Sequence, residues 1–299
     1  MNWIVISGAV QLGLLMGLLA LAVFLSFRVL NFPDMTVEGS FPLGACVSAA
    51  LIAAQVNPIV ATFAGVIAAA LAGALTAWLN VRLGILHLLA GILVSVGLYS
   101  VNLRIMDAPN IALIGSRTVF TLAAQAGAGD TWSYPAVFIV ALVFCSLALC
   151  WFLGTETGLA MRATGENPRM SRANGVNTRR LVILGVALSN AMAGLCGSLF
   201  AQSQGSADVS MGIGMIVIGL ASVIIGETLL PSRRIAVAVV GAIVGSILYR
   251  IVVAVALDSD VLGIKAQDMN LVTAVLVGGA MVLPRLRGHY KAMAARGQK

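Results

Sequence analysis

The chain of 299 residues is 60% hydrophobic and only 10% charged, with a mean hydropathy of +1.02. Soluble domains run at roughly 45–50% apolar and about 25% charged, so this chain has too few polar side chains to cover a surface in water. A soluble enzyme, a nucleic-acid binder and a disordered chain are excluded, and the formal net charge of +7 reads as charge that sets membrane orientation.

Apolar windows fall at residues 3–27, 43–56, 58–80, 84–103, 135–154, 181–203, 211–228, 235–257 and 269–284. A helix needs about 20 residues to cross the bilayer core; the second window is short and crowded against the third. Helix is the default in each, because an open sheet edge goes unsatisfied in lipid. The expected fold is an all-α, polytopic bundle of about nine membrane segments in one domain, 1–299. The first window has no basic residue ahead of it and Arg28 behind it. That is the reverse of a signal peptide, so a retained span is expected.

After the first window, Pro33 and Pro42 are expected to interrupt helix, giving a broken second segment. Asn31, Asp34, Thr36, Glu38 and Ser40 bring polar groups close to the membrane there. Non-helical backbone at that depth is tolerated only where protein or water covers it. Such breaks often line translocation paths, with a plain cytoplasmic turn as the alternative. Arg28 and Arg82 are candidate partners for Asp34 and Glu38.

Further along, small-xxx-small spacings such as Ala69/Gly73, Gly91/Ser95 and Gly241/Gly245 let helix backbones approach closely. The loop 104–134 is expected outside, with Val119 to Ala128 as a short interfacial helix or coil. Cys46, Cys145, Cys150 and Cys196 have no metal-ligand spacing and read as small core hydrophobes. His87 reads as a polar packing residue near the end of its span. Glu227 is expected within reach of Arg233 or Arg234, and Arg250 near the external interface, where it can snorkel. The windows thus offer little charge for ion coupling.

The segment 155–180 carries Arg162, Arg169, Arg172, Arg179 and Arg180, and the tail 285–299 carries Arg285, Arg287, Lys291, Arg296 and Lys299. Both are expected in the cytoplasm, which puts the N-terminus outside and Asp258, Asp260 and Asp268 outside as well. No phosphate-binding Gly-rich loop and no catalytic or metal constellation is present. The chain is expected not to be an enzyme and to bind no cofactor itself. Energy for uphill movement would have to come from a partner.

Within 155–180, Asn167 is a good N-cap and Pro168 suits the first helical position. Gly175 supplies a left-handed stop. A helix of about two turns over 168–174 is expected, bracketed by Gly165 and Gly175, with Asn177 or Thr178 capping the next span.

Three stretches then become recognisable. Arg162-Ala-Thr-Gly-Glu-Asn-Pro-Arg-Met-Ser-Arg-Ala-Asn-Gly-Val176 resembles the coupling loop of bacterial ABC-importer permeases of the branched-chain amino acid/monosaccharide class. Ala193-Gly-Leu-Cys-Gly197 looks like that family's small-residue stretch. Arg28-Val-Leu-Asn-Phe-Pro-Asp-Met-Thr-Val-Glu-Gly-Ser-Phe-Pro-Leu-Gly-Ala45 resembles its break after the first span, closest to the branch paired with tryptophan/tyrosine-type binding proteins. The resemblance covers essentially the whole chain and is weakest at 104–134.

It implies a permease subunit in the bacterial cytoplasmic (inner) membrane, pairing with a second copy or homologue. Cytoplasmic ABC ATPase subunits, which hold the ATP and Mg, and an extracytoplasmic solute-binding protein would be its partners, with no role for nucleic acid. Thr164, Gly165, Glu166, Asn167, Pro168, Arg169, Met170, Arg172, Asn174 and Gly175 would couple to the ATPase. Asn31, Pro33, Asp34, Thr36, Glu38 and Ser40 would line the path. An amino acid, with an aromatic one favoured, is the implied cargo. A stand-alone secondary transporter or channel is the rival reading, and a membrane enzyme a distant third.

Overall fold

The computed structural model describes residues 3–232, 234–258 and 278–279. Arg233, Asp260, Asp268, the tail 285–299 and almost all of the ninth window lie outside the described residues. Among the described residues, seven helical stretches are long and apolar enough to cross a membrane. An eighth apolar helix is shorter, at 17 residues.

The first long stretch explains the layout. Helix α1 (Trp3–Val23) runs into a π-turn, Phe24–Val29. Leu15, Leu18, Leu19, Leu21 and Leu25, on all faces, are fully buried. A helix apolar all round belongs inside a bundle, and α1 is the mast against which α6 (Gly129–Gly154), α9 (Thr178–Gln204), α10 (Met215–Leu229) and α11 (Ile235–Asp258) pack.

Beside the mast stands a second group: α2 (Val37–Ala53), α3 (Pro58–Leu83) and α4 (His87–Met106), joined to the first through α9. Asn57 caps α3 by accepting from the Ile59 amide, and Pro58 takes the first helical position. Helix α2 begins at Val37, six residues before the apolar window suggested, so Pro42 lies inside it and does not interrupt it. A proline there removes the amide that would have bonded the Glu38 carbonyl. That carbonyl faces Gly212, where a β-carbon would fall 2.0 Å from it.

Two short strands, β1 (Asn110–Ala112) and β2 (Ser206–Asp208), form an antiparallel ribbon with Asn110 opposite Asp208. The ribbon caps one end of the bundle, where Ile52, Ala61, Met106, Leu113, Ala201 and Val209 cluster. The undecided stretch Val119–Ala128 is helical up to a kink at Gly127, where φ is +109°: α5 (Val119–Ala123) opens on a Thr118 capping box and runs into a π-turn. After β2, a 3-10 turn, Val209–Gly212, leads into α10. At the opposite end of the bundle lie α7 (Glu156–Glu166) and α8 (Pro168–Ala173), packed beside the π-turn that closes α1.

The small residues serve packing inside the chain. A β-carbon on Gly73 would meet Asn190, one on Gly91 the backbone of Met35, and one on Gly245 the carbonyl of Ser222. Close approach supplies dispersion contact where lipid gives no hydrophobic drive between helices.

Candidate translocation and coupling site

Residues 30–36 leave the π-turn as non-helical backbone and re-enter the bundle at α2. Asn31 turns the chain with φ +52° and is exposed, while Pro33 is half-buried. Asp34, Thr36 and Ser40 are completely buried. One residue of α9 gathers them: Asn190 donates from Nδ2 to Asp34 Oδ2 at 2.6 Å, and its Oδ1 accepts from Ser40 Oγ at 2.6 Å. Asp34 Oδ1 accepts the Thr36 amide at 2.9 Å, and the Thr36 hydroxyl meets that of Thr76 on α3 at 2.7 Å. The break is therefore bolted to both α3 and α9 by hydrogen bonds of buried groups, which are costly to leave unmade. Glu38 is half-buried and accepts the Gly214 amide at 3.2 Å, which ties α2 to the start of α10. Neither acid pairs with Arg28 or Arg82.

The second constellation is the arm. Asn167 ends α7 and caps α8, accepting from the amides of Arg169 and Met170 at 3.1 and 3.0 Å. Pro168 is the first residue of α8, and Gly175 adopts φ +80°, as expected of a glycine stop. Asn177 caps α9. Glu166, Asn167, Pro168, Arg169, Met170, Arg172, Asn174 and Gly175 are exposed, so α8 presents a polar knob, with Ser171 tucked inward. Gly165 does not bracket the short helix. It lies within α7, buried, where a β-carbon would fall 2.0 Å from the Val29 carbonyl oxygen. Thr164, also buried, bonds back to the Ala160 carbonyl. On the other side, Gly185 of α9 leaves room for Leu30 and Met161. The arm thus rests directly on the backbone that leads to Asp34.

Residues 5–283 match the family described as the permease component of the branched-chain amino acid transport system. The chain belongs to this permease family. It is 37% identical over 265 residues to a tyrosine transport system permease protein from Clostridioides difficile, covering 88% of this chain and 86% of that one. A ribose import permease protein from Escherichia coli K12 is 24% identical over 252 residues, covering 82% and 74% of the two chains. A nucleoside ABC transporter permease protein from Lactococcus lactis matches over 89 residues at 35% identity, covering 29% and 28%. No solved structure matches.

Glu227, at the end of α10, pairs with Arg28 of the π-turn at 2.5 Å; of its two expected partners, Arg234 makes no ion pair with it and Arg233 lies outside the described residues. Arg250 does not snorkel: it is 9% exposed, one turn along α11 from Ser246, which bonds the Gly13 carbonyl. With Asp34, it makes two ionisable side chains in an interior expected to hold almost none. His87 opens α4, exposed, its ring 4.7 Å from that of Phe32.

The organising residue of the network, Asn190, was not among the expected site residues, nor was Thr76. Both lie in apolar windows far in sequence from Asp34. An amide in the middle of a small-residue membrane segment is itself a signal, because a polar group in lipid must find a partner on a neighbouring helix. Gln202 obeys the same rule further along α9, donating to Thr62 of α3 and accepting the Val119 amide.

Proposed function

We propose that this permease is the membrane-spanning subunit of an ABC importer. It works with a second copy or a homologue and moves an amino acid inward by alternating access, with an aromatic amino acid as the favoured cargo. The observation that carries this reading is the arm: a capped, exposed helix whose base, at Gly165, is seated on the Val29 carbonyl. A load applied to α8 reaches the π-turn without passing through a flexible loop. The next residues, 30–36, run straight into the Asp34–Asn190 network. Binding and hydrolysis of Mg-ATP by partner ATPase subunits would supply that load, and Thr164 to Gly175 would receive it. The 31–40 segment, from Asn31 and Pro33 to Ser40, would convert it into opening of the path.

The orientation follows from charge. Arg28, Arg162, Arg169, Arg172, Arg179 and Arg180 gather at the arm end, which faces the cytoplasm of a bacterial inner membrane under the positive-inside rule. The ribbon end then faces the solute-binding protein. The cargo is supported by the tyrosine transport relative, similar over most of both chains.

The test is reconstitution. The permease is co-expressed with a candidate ABC ATPase and a candidate exported solute-binding protein from the same genome, purified and placed in proteoliposomes. A complex containing the ATPase, and L-tyrosine uptake that requires ATP, is the expected result. Uptake driven by an ion gradient with no ATPase present would overturn the reading in favour of a stand-alone transporter.

A further inference from the structure

Helix α4 is attached to the bundle differently from its neighbours. Helices α2, α3 and α9 are joined by the hydrogen bonds of Asp34, Ser40, Thr36 and Gln202. Helices α1, α9 and α11 are joined by Ser189 to the Ala22 carbonyl and Ser246 to the Gly13 carbonyl. Among the described residues, no side chain of α4 hydrogen-bonds to another helix. It meets α2 and the segment before it through close backbone passages instead: Gly39 of α2 against Ser95, and Gly91 against Met35 of the 30–36 segment. A seam of glycines and carbon contacts has no bond to break when one helix shifts along the other.

Further along the same helix lies Asn102, completely buried, with neither Nδ2 nor Oδ1 hydrogen-bonded among the described residues. Its neighbours on the same face of α4 show what encloses it. Leu98 belongs to one apolar cluster with Leu43 of α2, and Met106 to another that includes Ala45 and Cys46 of α2 and Val209. The amide is therefore shut between α4, α2 and the turn that opens at Val209. It stands about 10 Å along α4 from Ser95, toward the ribbon end. Buried polar atoms are almost always bonded, and a doubly orphaned amide calls for a reason. In a membrane interior, polar groups that packing does not explain mark pathways.

We infer that Asn102 belongs to the solute path of this permease: α4 shifts against α2 during transport, and the freed amide meets the solute. An amide donates and accepts at once, which suits a zwitterionic α-amino acid, with its carboxylate accepting from Nδ2 and its ammonium donating to Oδ1. This rests on the reading of the chain as an importer permease.

The experiment is labelling of Asn102→Cys in the complete transporter with a membrane-impermeant maleimide, read against the protein that keeps Asn102. Cys46, Cys145 and Cys196 of the wild type are buried and Cys150 is half-buried, so Cys150→Ser serves as the background for both proteins. Samples are nucleotide-free, ATP-bound and vanadate-trapped, each with and without L-tyrosine. Reaction at least tenfold faster in one nucleotide state than in another is expected. A cysteine unreactive in every state overturns the proposal. Asn102→Leu removes both unpaired atoms and should yield as much folded protein as wild type, while uptake falls at least tenfold; wild-type uptake by this variant also overturns it. Asn102→Ser serves as a second variant if the leucine does not fold. Uptake that proceeds without the ATPase would defeat the importer reading and leave the labelling result standing.

Discussion

Gly165 and Val29 meet backbone to backbone, with room for nothing between them: any β-carbon at Gly165 would fall 2.0 Å from the Val29 carbonyl oxygen. Gly165→Ala must therefore push the arm away from the π-turn. Overpacking of this kind costs about 1–3 kcal/mol, and the strain falls on the joint that the proposed mechanism uses. Folded protein should still be recovered, with a lowered melting temperature, and ATP-driven uptake should be lost. Uptake at the wild-type rate would show that the joint transmits nothing.

The arm also shows what a sequence reveals and what it hides. The Asn167 cap, Pro168 and the Gly175 stop were legible, because each acts on amides within a few residues of itself. Gly165 was read as bracketing the short helix because its reason for being glycine, Val29, lies far away in the chain. Pro42 was misread for the same cause: the carbonyl it frees, that of Glu38, is sheltered by Gly212. Apolar windows located the long helices well, since lipid and core select the same residues. They missed the start of α2, where Glu38 and Ser40 interrupt the apolar run yet are held by Gly214 and Asn190. Local chemistry could be read; partners supplied by distant helices could not.

Asn190 joins two otherwise separate groups, the carboxylate of Asp34 and the hydroxyl of Ser40. Asn190→Ala leaves both buried without that partner, at about 1–3 kcal/mol for each orphaned group. A fall in melting temperature well beyond that of Ser40→Ala is expected, measured by thermal unfolding in detergent. Equal effects from the two variants would mean that the Asp34 bond contributes nothing.

Asn167 caps the helix that the ATPase would grip. Replacing a capping Asn by Ala costs about 1 kcal/mol locally, too little to unfold a bundle held by its core. Asn167→Ala should leave the melting temperature near that of wild type, speed hydrogen exchange at residues 168–174, and weaken co-purification of the ATPase. Asn167→Asp keeps an acceptor and should retain the complex. Loss of the complex in both variants would assign the defect to the side chain's own contact with the ATPase, and not to capping.

Arg28 and Glu227 tie the π-turn to the end of α10 at 2.5 Å, but both are partly exposed, at 66% and 37% of their side chains. Such a pair is worth about 0–1 kcal/mol and weakens in salt, so its contribution to stability is small and its position is what counts. It bridges the same turn on which Gly165 rests, so it biases where that turn sits relative to α10. Arg28→Glu sets two carboxylates face to face and should drive the turn away from α10. Thermal stability should change little, while uptake falls roughly fivefold, the effect of about 1 kcal/mol on a two-state equilibrium. Exchanging the charges, Arg28→Glu with Glu227→Arg, should restore uptake. A double variant no better than Arg28→Glu alone would separate the ion pair from transport and leave Arg28 with a role at the membrane surface only.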